Sequence, residues 1–225
     1  TAKETLVALA RVHHKTSATK GNNNTIMGVA LTVLHLPLNT QVFVCEMDAF
    51  YEGEILEVCR MIKPRIGLLT AIGPMHLERF DNDMKALERS QFELLIVLPT
   101  HGLGCYPKEF ESHADQMMAR RFGVESLHDA YGEIGKELGL DSEKIEHVLK
   151  NLPAVEHRRQ LIKNGDITVI DDAYNSNPVG FRMALETLRG LKAKQRIIVT
   201  PGMIEMGSRQ YDENMMAAKE AAKIC

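Results

Sequence analysis

Two short apolar runs constrain the fold of this chain most strongly. Gln41–Cys45 (QVFVC) and Ile66–Ile72 (IGLLTAI) are short, apolar and partly β-branched, the pattern of strands covered on both faces. Between them, Glu54–Met61 sets Ile55, Val58 and Met61 on one helical face. This β-α-β rhythm predicts an α/β fold, a parallel sheet with helices on its faces.

The remaining patterns extend the same plan. Thr1-x-x-Glu4 reads as a capping box opening an amphipathic helix that carries Leu6, Leu9 and Val12. A polar loop, GNNNT (21–25), leads into an apolar helical stretch ending at Leu36. Residues 83–97 form another helix pattern, and 102–105 a short strand. Three helices are predicted near 109–122, 126–138 and 141–151, closed by Pro153. The domain boundary is set there, giving units 1–152 and 153–225. In the second unit, 157–174 reads as a hairpin with Asn164-Gly165 at its turn. A helix at 179–190, a strand at 196–200, the loop PGMIEMGS (201–208) and a last helix from 211 to 225 follow.

Composition excludes several functions. The net charge is −3 and the cations are scattered, which argues against nucleic acid as a partner. No apolar run reaches the ~18 residues of a membrane span, so no membrane association is expected. The opening helix pattern lacks the cleavage site of a signal peptide. Cys45, Cys59, Cys105 and Cys225 form no C-x-x-C pair, and Cys45 and Cys59 lie in apolar patterns, which fits small buried hydrophobes in a reducing cytoplasm.

Polar clusters stand where the strands end, the edge at which parallel α/β sheets bind ligands. These are Glu46-Met47-Asp48-Ala49, GPMHLERF (73–80), DDAYNSNP (171–178) and PGMIEMGS. Taken singly, each is an ordinary cap, turn or solvated loop end; together they point to a ligand. Glu46 and His76 each follow a buried strand, so a Mg²⁺ site is expected there, although imidazole is an uncommon ligand for that ion. His101, Cys105 and His113 match no closed zinc spacing.

The strings VFVCEM, IGLLTAIGPMHLERF and ERSQFELL resemble the central ATPase domain of the Mur ligases. RRQLIKNGDITVIDDAYNSNPVGFRMALETL, continued by IIVTPGMIEMG, resembles the start of their C-terminal, Rossmann-like domain. The similarity is greatest to members that add D-Ala-D-Ala to a UDP-MurNAc-tripeptide, and it covers all but roughly 106–125. It implies a cytoplasmic, ATP-dependent amide ligase of peptidoglycan synthesis. Such an enzyme passes the γ-phosphate of ATP to a carboxylate, and an amine then attacks the acyl phosphate. It further implies that Glu46 and His76 hold Mg²⁺ and that Asn24 and Thr25 lie near the phosphates. Arg158, Asp172, Tyr174, Asn175 and Asn177 would face the nucleotide, and domain closure would assemble the site.

The chain departs from that pattern in three ways. A phosphate loop of the G-x-x-G-K-[ST] type should stand just before a helix such as TAKETLVALA, and this chain begins after it. Gln91 stands where the family places a carbamylated lysine that binds a second Mg²⁺, and Asp48 replaces a small residue. Further strands are expected where Cys105 runs quickly into helices, and the UDP-binding domain and the last strands are absent. The chain is therefore expected to be a segment of a longer ligase, inert by itself, or else a non-catalytic descendant that binds a nucleotide or a partner.

Overall fold

The structure, a computed structural model, describes residues 1–21, 23–174 and 176–225. They divide into two compact units: Thr1–Ile72 with Asp83–Leu152, and Gly73–Asn82 with Pro153–Cys225.

In the first unit, α1 (Ala2–Arg11) is capped by Thr1, whose Oγ1 accepts from the Glu4 N–H at 3.3 Å. Its buried face carries Lys3, Val7 and Ala10 with Thr5 and Leu9, whereas Val12, expected on that face, is exposed. β1 (Thr16–Ala18) pairs in parallel with β2 (Val42–Val44), with Ser17 opposite Phe43. The mainly polar sequence of β1 gave no strand signal; the pairing to β2 makes it one. Between them lies α2 (Ile26–Leu34), and α3 (Glu54–Ile62) follows β2. β3 (Ile66–Leu68), β4 (Leu103–Pro107) and β5 (Arg120–Val124) form a parallel sheet in that order. Leu68 lies opposite Cys105, and Leu103 opposite Arg120.

The helix expected at 109–122 is not formed, and a further strand follows Cys105. A 3-10 segment, Lys108–Gln116, kinks at Phe110, and the chain is extended by Met117 before entering β5. Pairing with β4 satisfies the β5 backbone along five residues, which outweighs local helical preference. Met117 then covers Gly104, where a Cβ would lie 2.2 Å from the Met117 Cε.

Among the described residues, three buried clusters position the helices of this unit. Phe92 and Leu95 of α4 (Met84–Ile96) pack with Tyr106, Leu69 and Met117 on one side of the sheet. Phe92 contacts Phe110 edge-on and stacks on His113, with centroids 5.9 and 5.1 Å away. On α5 (Leu127–Glu137), Ala130 and Ile134 pack with Leu103, Cys105 and Val124. Leu9 of α1 meets Ile145 of α6 (Ser142–Lys150), and Leu6 borders both of these latter clusters.

The second unit contains an antiparallel hairpin, β6 (Gln160–Asn164) and β7 (Ile167–Asp171), in which Asn164 opposes Ile167. The two-residue turn is thus Gly165-Asp166, one position later than expected. Gly165 takes a φ of +57°, a conformation that a side chain would strain. α7 (Pro178–Gly190) and α8 (Gln210–Ala221) pack together. Residues 196–200 (RIIVT) carry a β-branched apolar run, expected as a strand, but form none. Ile197 and Val199 are exposed, and among the described residues no neighbouring strand pairs with this segment.

No helix among the described residues is long and apolar enough to cross a membrane. All four cysteines are free; Cys59 and Cys105 are buried and Cys45 is half-buried. Burial pushes the thiols of Cys45, Cys59 and Cys105 up to about 12, so they stay protonated and unreactive near neutrality. Cys225 is exposed. Brief alkylation of the folded protein at neutral pH should therefore give one adduct by intact mass, rising to four after denaturation; early labelling of the other three would contradict this packing. A second expectation concerns Gly102, buried at the entrance to β4. A Cβ there would lie 2.7 Å from the Arg65 carbonyl oxygen and 2.9 Å from that of Pro99. Backbone cannot yield as a side chain does, so Gly102→Ala should cost about 1–3 kcal/mol in denaturant unfolding.

Candidate functional site

The first unit gathers three residues from three elements at the carboxyl edge of β1 and β2. Lys3, on the first turn of α1, is only 7% exposed. Its ammonium donates to the carbonyl oxygens of Thr19 (2.9 Å) and Gly21 (2.8 Å), and lies 3.4 Å from Glu46 Oε2 and 3.6 Å from Glu4 Oε1. The Thr19 N–H continues the strand pairing by donating to the Val44 carbonyl oxygen at 3.1 Å. Its hydroxyl oxygen accepts from the Glu46 N–H at 3.1 Å. Lys3, Thr19 and Glu46 therefore close a ring. A buried ammonium is costly unless it is hydrogen-bonded and paired; here two carbonyl oxygens accept from it and the Glu46 carboxylate pairs with its charge.

Beyond Glu46, the loop leading to α3 is bound to α4. The Gln91 amide donates to Asp48 Oδ1 at 3.3 Å, and the Ser90 hydroxyl donates to the Tyr51 carbonyl oxygen. Arg89 pairs with Glu52 at 3.1 Å. Gly53 precedes α3 with no side chain to cap it; instead Glu93 accepts from the N–H groups of Gly53 (2.6 Å) and Leu56 (3.0 Å). A carboxylate here satisfies orphan donors and complements the positive end of the helix.

Asn24 is half-buried in the loop before α2, and Thr25 is the N-cap of that helix, its Oγ1 accepting from the Gly28 N–H at 3.3 Å. Mg²⁺ takes few protein oxygens and completes its shell with water and phosphate. Glu46, a hard anionic ligand one-third exposed at this edge, fits such an ion. Among the described residues no group of three or more His, Cys, Asp or Glu gathers into an all-protein metal cage, at His101, Cys105 and His113 or elsewhere. His113 instead stacks on Phe92 and lies 3.4 Å from Glu88.

His76 belongs to the second unit, within the segment Gly73–Asn82. Its Nδ1 lies 2.5 Å from Glu205 Oε2. Asn82 Oδ1 accepts from the Ser208 N–H at 2.7 Å, so the 73–82 segment is fastened twice to the PGMIEMGS loop. That loop is anchored rather than merely solvated. Met203 and Met206 are buried, and the Asn214 side chain accepts from the Met203 N–H and donates to its carbonyl oxygen.

After the hairpin, the Arg158 guanidinium lies over the Tyr174 ring, 4.0 Å from its centroid. The buried Arg158 Nε has no hydrogen-bond partner among the described residues. Asp172 Oδ1 accepts from the Arg159 N–H at 3.0 Å, and the Tyr174 N–H donates to the His157 carbonyl oxygen. His157 Nδ1 is 2.7 Å from Asp171 Oδ2. That contact, then the Ala173 N–H, holds the Asp171 carboxyl below the usual carboxylate range. The lowered value makes this contact fully stabilising above roughly pH 4, and it fades as pH falls through the folded-state value. Asn177 caps α7, accepting from the Gly180 N–H at 2.8 Å. Asn175 lies outside the described residues.

Six of the seven described non-glycine residues with positive φ sit in these second-unit loops: His76, Asp81, Asn82, His157, Arg159 and Glu205. Such conformations persist only where surrounding contacts over-determine them, and they concentrate at ligand sites. Sequence reading missed Glu205, Asn82 and Lys3. Only Lys3 left a usable signal, since it shares the apolar face of α1 with Val7 and Ala10.

The Mur ligase middle domain profile matches residues 1–148, and the Mur ligase, glutamate ligase domain profile matches residues 157–224. Among similar curated proteins is a UDP-N-acetylmuramoyl-tripeptide–D-alanyl-D-alanine ligase of Bacillus subtilis, 23% identical, with 92% of this chain and 54% of that protein covered. The protein of the same name from Borreliella burgdorferi is 32% identical, with 100% and 58% covered. The chain thus spans a little over half the length of these relatives. Among solved structures, MurF from Acinetobacter baumannii superposes with a TM-score of 0.88 at 21% identity, over 99% of this chain and 58% of that one. The MurF ligase from Thermotoga maritima, solved in complex with ADP, gives 0.85 at 20% identity, over 97% and 61%. At that identity the structures establish a shared fold, while the middle-domain profile alone spans well over half of these residues: this chain belongs to the Mur ligase family.

Proposed function

We propose that this chain carries nucleotide-handling parts of a cytoplasmic, ATP-dependent ligase that joins D-Ala-D-Ala to a UDP-MurNAc-tripeptide. The observation that carries this reading is the Lys3–Thr19–Glu46 ring, a built polar site at the carboxyl edge of a parallel strand pair. The names of the curated relatives supply the substrates.

In this reading the γ-phosphate of ATP passes to the tripeptide carboxylate, and the dipeptide amine displaces phosphate from the acyl phosphate. Glu46 is the side chain at the β1–β2 edge that would hold Mg²⁺, which when bound offsets charge on the phosphates, and the family resemblance gives His76 a metal-binding role as well. Thr25 and Asn24, at the start of α2, present N–H groups and an amide toward anionic oxygens. Arg158 contributes positive charge and, with Tyr174, a planar face suited to a base. Asp172 offers a carboxylate to nucleotide hydroxyls or amines, with Asn177 in the same loop, and the family resemblance extends the nucleotide-facing role to Asn175. Glu205 orients the His76 ring through Nδ1.

Titration calorimetry tests the binding reading. The chain should take up MgADP with 1:1 stoichiometry, and Glu46→Gln should weaken it about tenfold, the loss typical of altering a metal contact. No heat from the unaltered chain would sink the proposal.

A second reading is a nucleotide-binding descendant without turnover, favoured by the neutral Gln91 amide bound to Asp48. The two separate when ATP, the UDP-MurNAc-tripeptide and D-Ala-D-Ala are supplied together. ADP release that depends on the dipeptide supports the ligase over the descendant. A segment of a ligase and a descendant both bind without release, which is the outcome expected for this chain by itself.

A further inference from the structure

The ring at the β1–β2 edge contains more than a carboxylate. Its cation is fixed in place, and that has a consequence for what the site accepts. Lys3 is nearly buried and held by two carbonyl oxygens on the loop after β1, so its ammonium cannot swing away when a second cation approaches. Glu46 lies 3.4 Å from it and keeps one-third of its side chain exposed. The Lys3–Glu46 pair is neutral, the second carboxylate near the ammonium, Glu4 at 3.6 Å, is half-exposed and screened by water, and a bare divalent ion at Glu46 would still meet a fixed positive charge a few ångströms away. A metal arriving with a polyphosphate meets a different balance, because the phosphate oxygens are attracted by the ammonium that repels the metal.

We infer that Lys3 is a specificity-determining residue that makes the Glu46 edge reject free divalent cations and accept a metal–polyphosphate complex. The inference rests on the nucleotide reading for its ligand, but the predicted preference is a property of these residues. Two features support it over simple structural duty. Two carbonyl oxygens could be satisfied by a neutral amide or by water, so a full charge is not needed to tie the loop. The charge also faces the strand edge where ligands of parallel sheets bind, on a helix whose neighbouring buried positions, Val7 and Ala10, are apolar.

The test uses the whole chain, with Mn²⁺ alone and MgADP as separate probes in calorimetry. Lys3→Gln keeps a donor for the loop and removes the charge; Lys3→Met removes both; Lys3→Arg keeps the charge. In the two neutral variants Mn²⁺ should bind about fivefold tighter and MgADP about tenfold weaker, shifts in opposite directions set by removal of one nearby charge. Lys3→Arg should retain the original preference. A merely structural lysine would weaken both probes together when replaced. That result, no shift in either probe, or loss of folding in both neutral variants would overturn the inference.

Glu46→Gln, made in the Lys3→Gln chain where Mn²⁺ uptake is expected, separates this failure from that of the underlying reading. If it leaves that Mn²⁺ uptake unchanged, Glu46 is not the metal ligand and both proposals fall. If it removes uptake while the neutral Lys3 variants show no opposed shifts, only the role of Lys3 is lost. If the unaltered chain takes up no MgADP, the nucleotide reading fails, and tightening of Mn²⁺ in the neutral variants still decides whether Lys3 excludes the bare ion.

Discussion

Parallel strands cannot be joined by a tight turn, and much of the first unit follows from that constraint. Each crossover needs a long return path, here supplied by α2 between β1 and β2 and by α4 between β3 and β4. Parallel order also gathers the carboxyl ends of paired strands at a common edge. Polar residues far apart in sequence then meet without having to be buried in the sheet itself. Thr19 and Glu46 are 27 positions apart, yet one accepts a hydrogen bond from the other because β1 and β2 end side by side.

Buried charge is the second organising feature. The apolar parts of the core define where α1 can lie, and α1 then carries an ammonium to a place where water is scarce. Two carbonyl oxygens and a carboxylate make that tolerable, and in doing so they bind three separate segments together. Nearby, Glu93 serves the opposite need, bringing a carboxylate to a helix start that has no cap of its own. In both cases a charged side chain from one element completes the unsatisfied backbone of another.

The loops of the second unit obey a different rule. Their shape depends on non-glycine residues held at positive φ and on reciprocal side-chain bonds, such as Asn214 around Met203 and Asn82 on Ser208. A polar string such as PGMIEMGS gives no sign that two of its methionines are buried or that its glutamate meets a histidine more than a hundred residues earlier. DDAYNSNP was readable as a site, but the division of labour within it was not: Asn177 caps a helix, whereas Arg158 from the preceding segment covers Tyr174.

Local periodicity, caps and turn chemistry encode the α/β class, the principal buried strands, most helices and the hairpin, so these were legible along the chain. The sequence also marked the strand-end clusters and carried the family resemblance. Long-range pairing made β1 a strand and set β5 in place of an expected helix, and its absence among the described residues leaves 196–200 unpaired. In each instance the outcome depends on whether a neighbouring backbone is present to bond with. Folding likewise brings Lys3 into the candidate site, since the cost of a buried ammonium is met by acceptors that only the folded chain brings within reach.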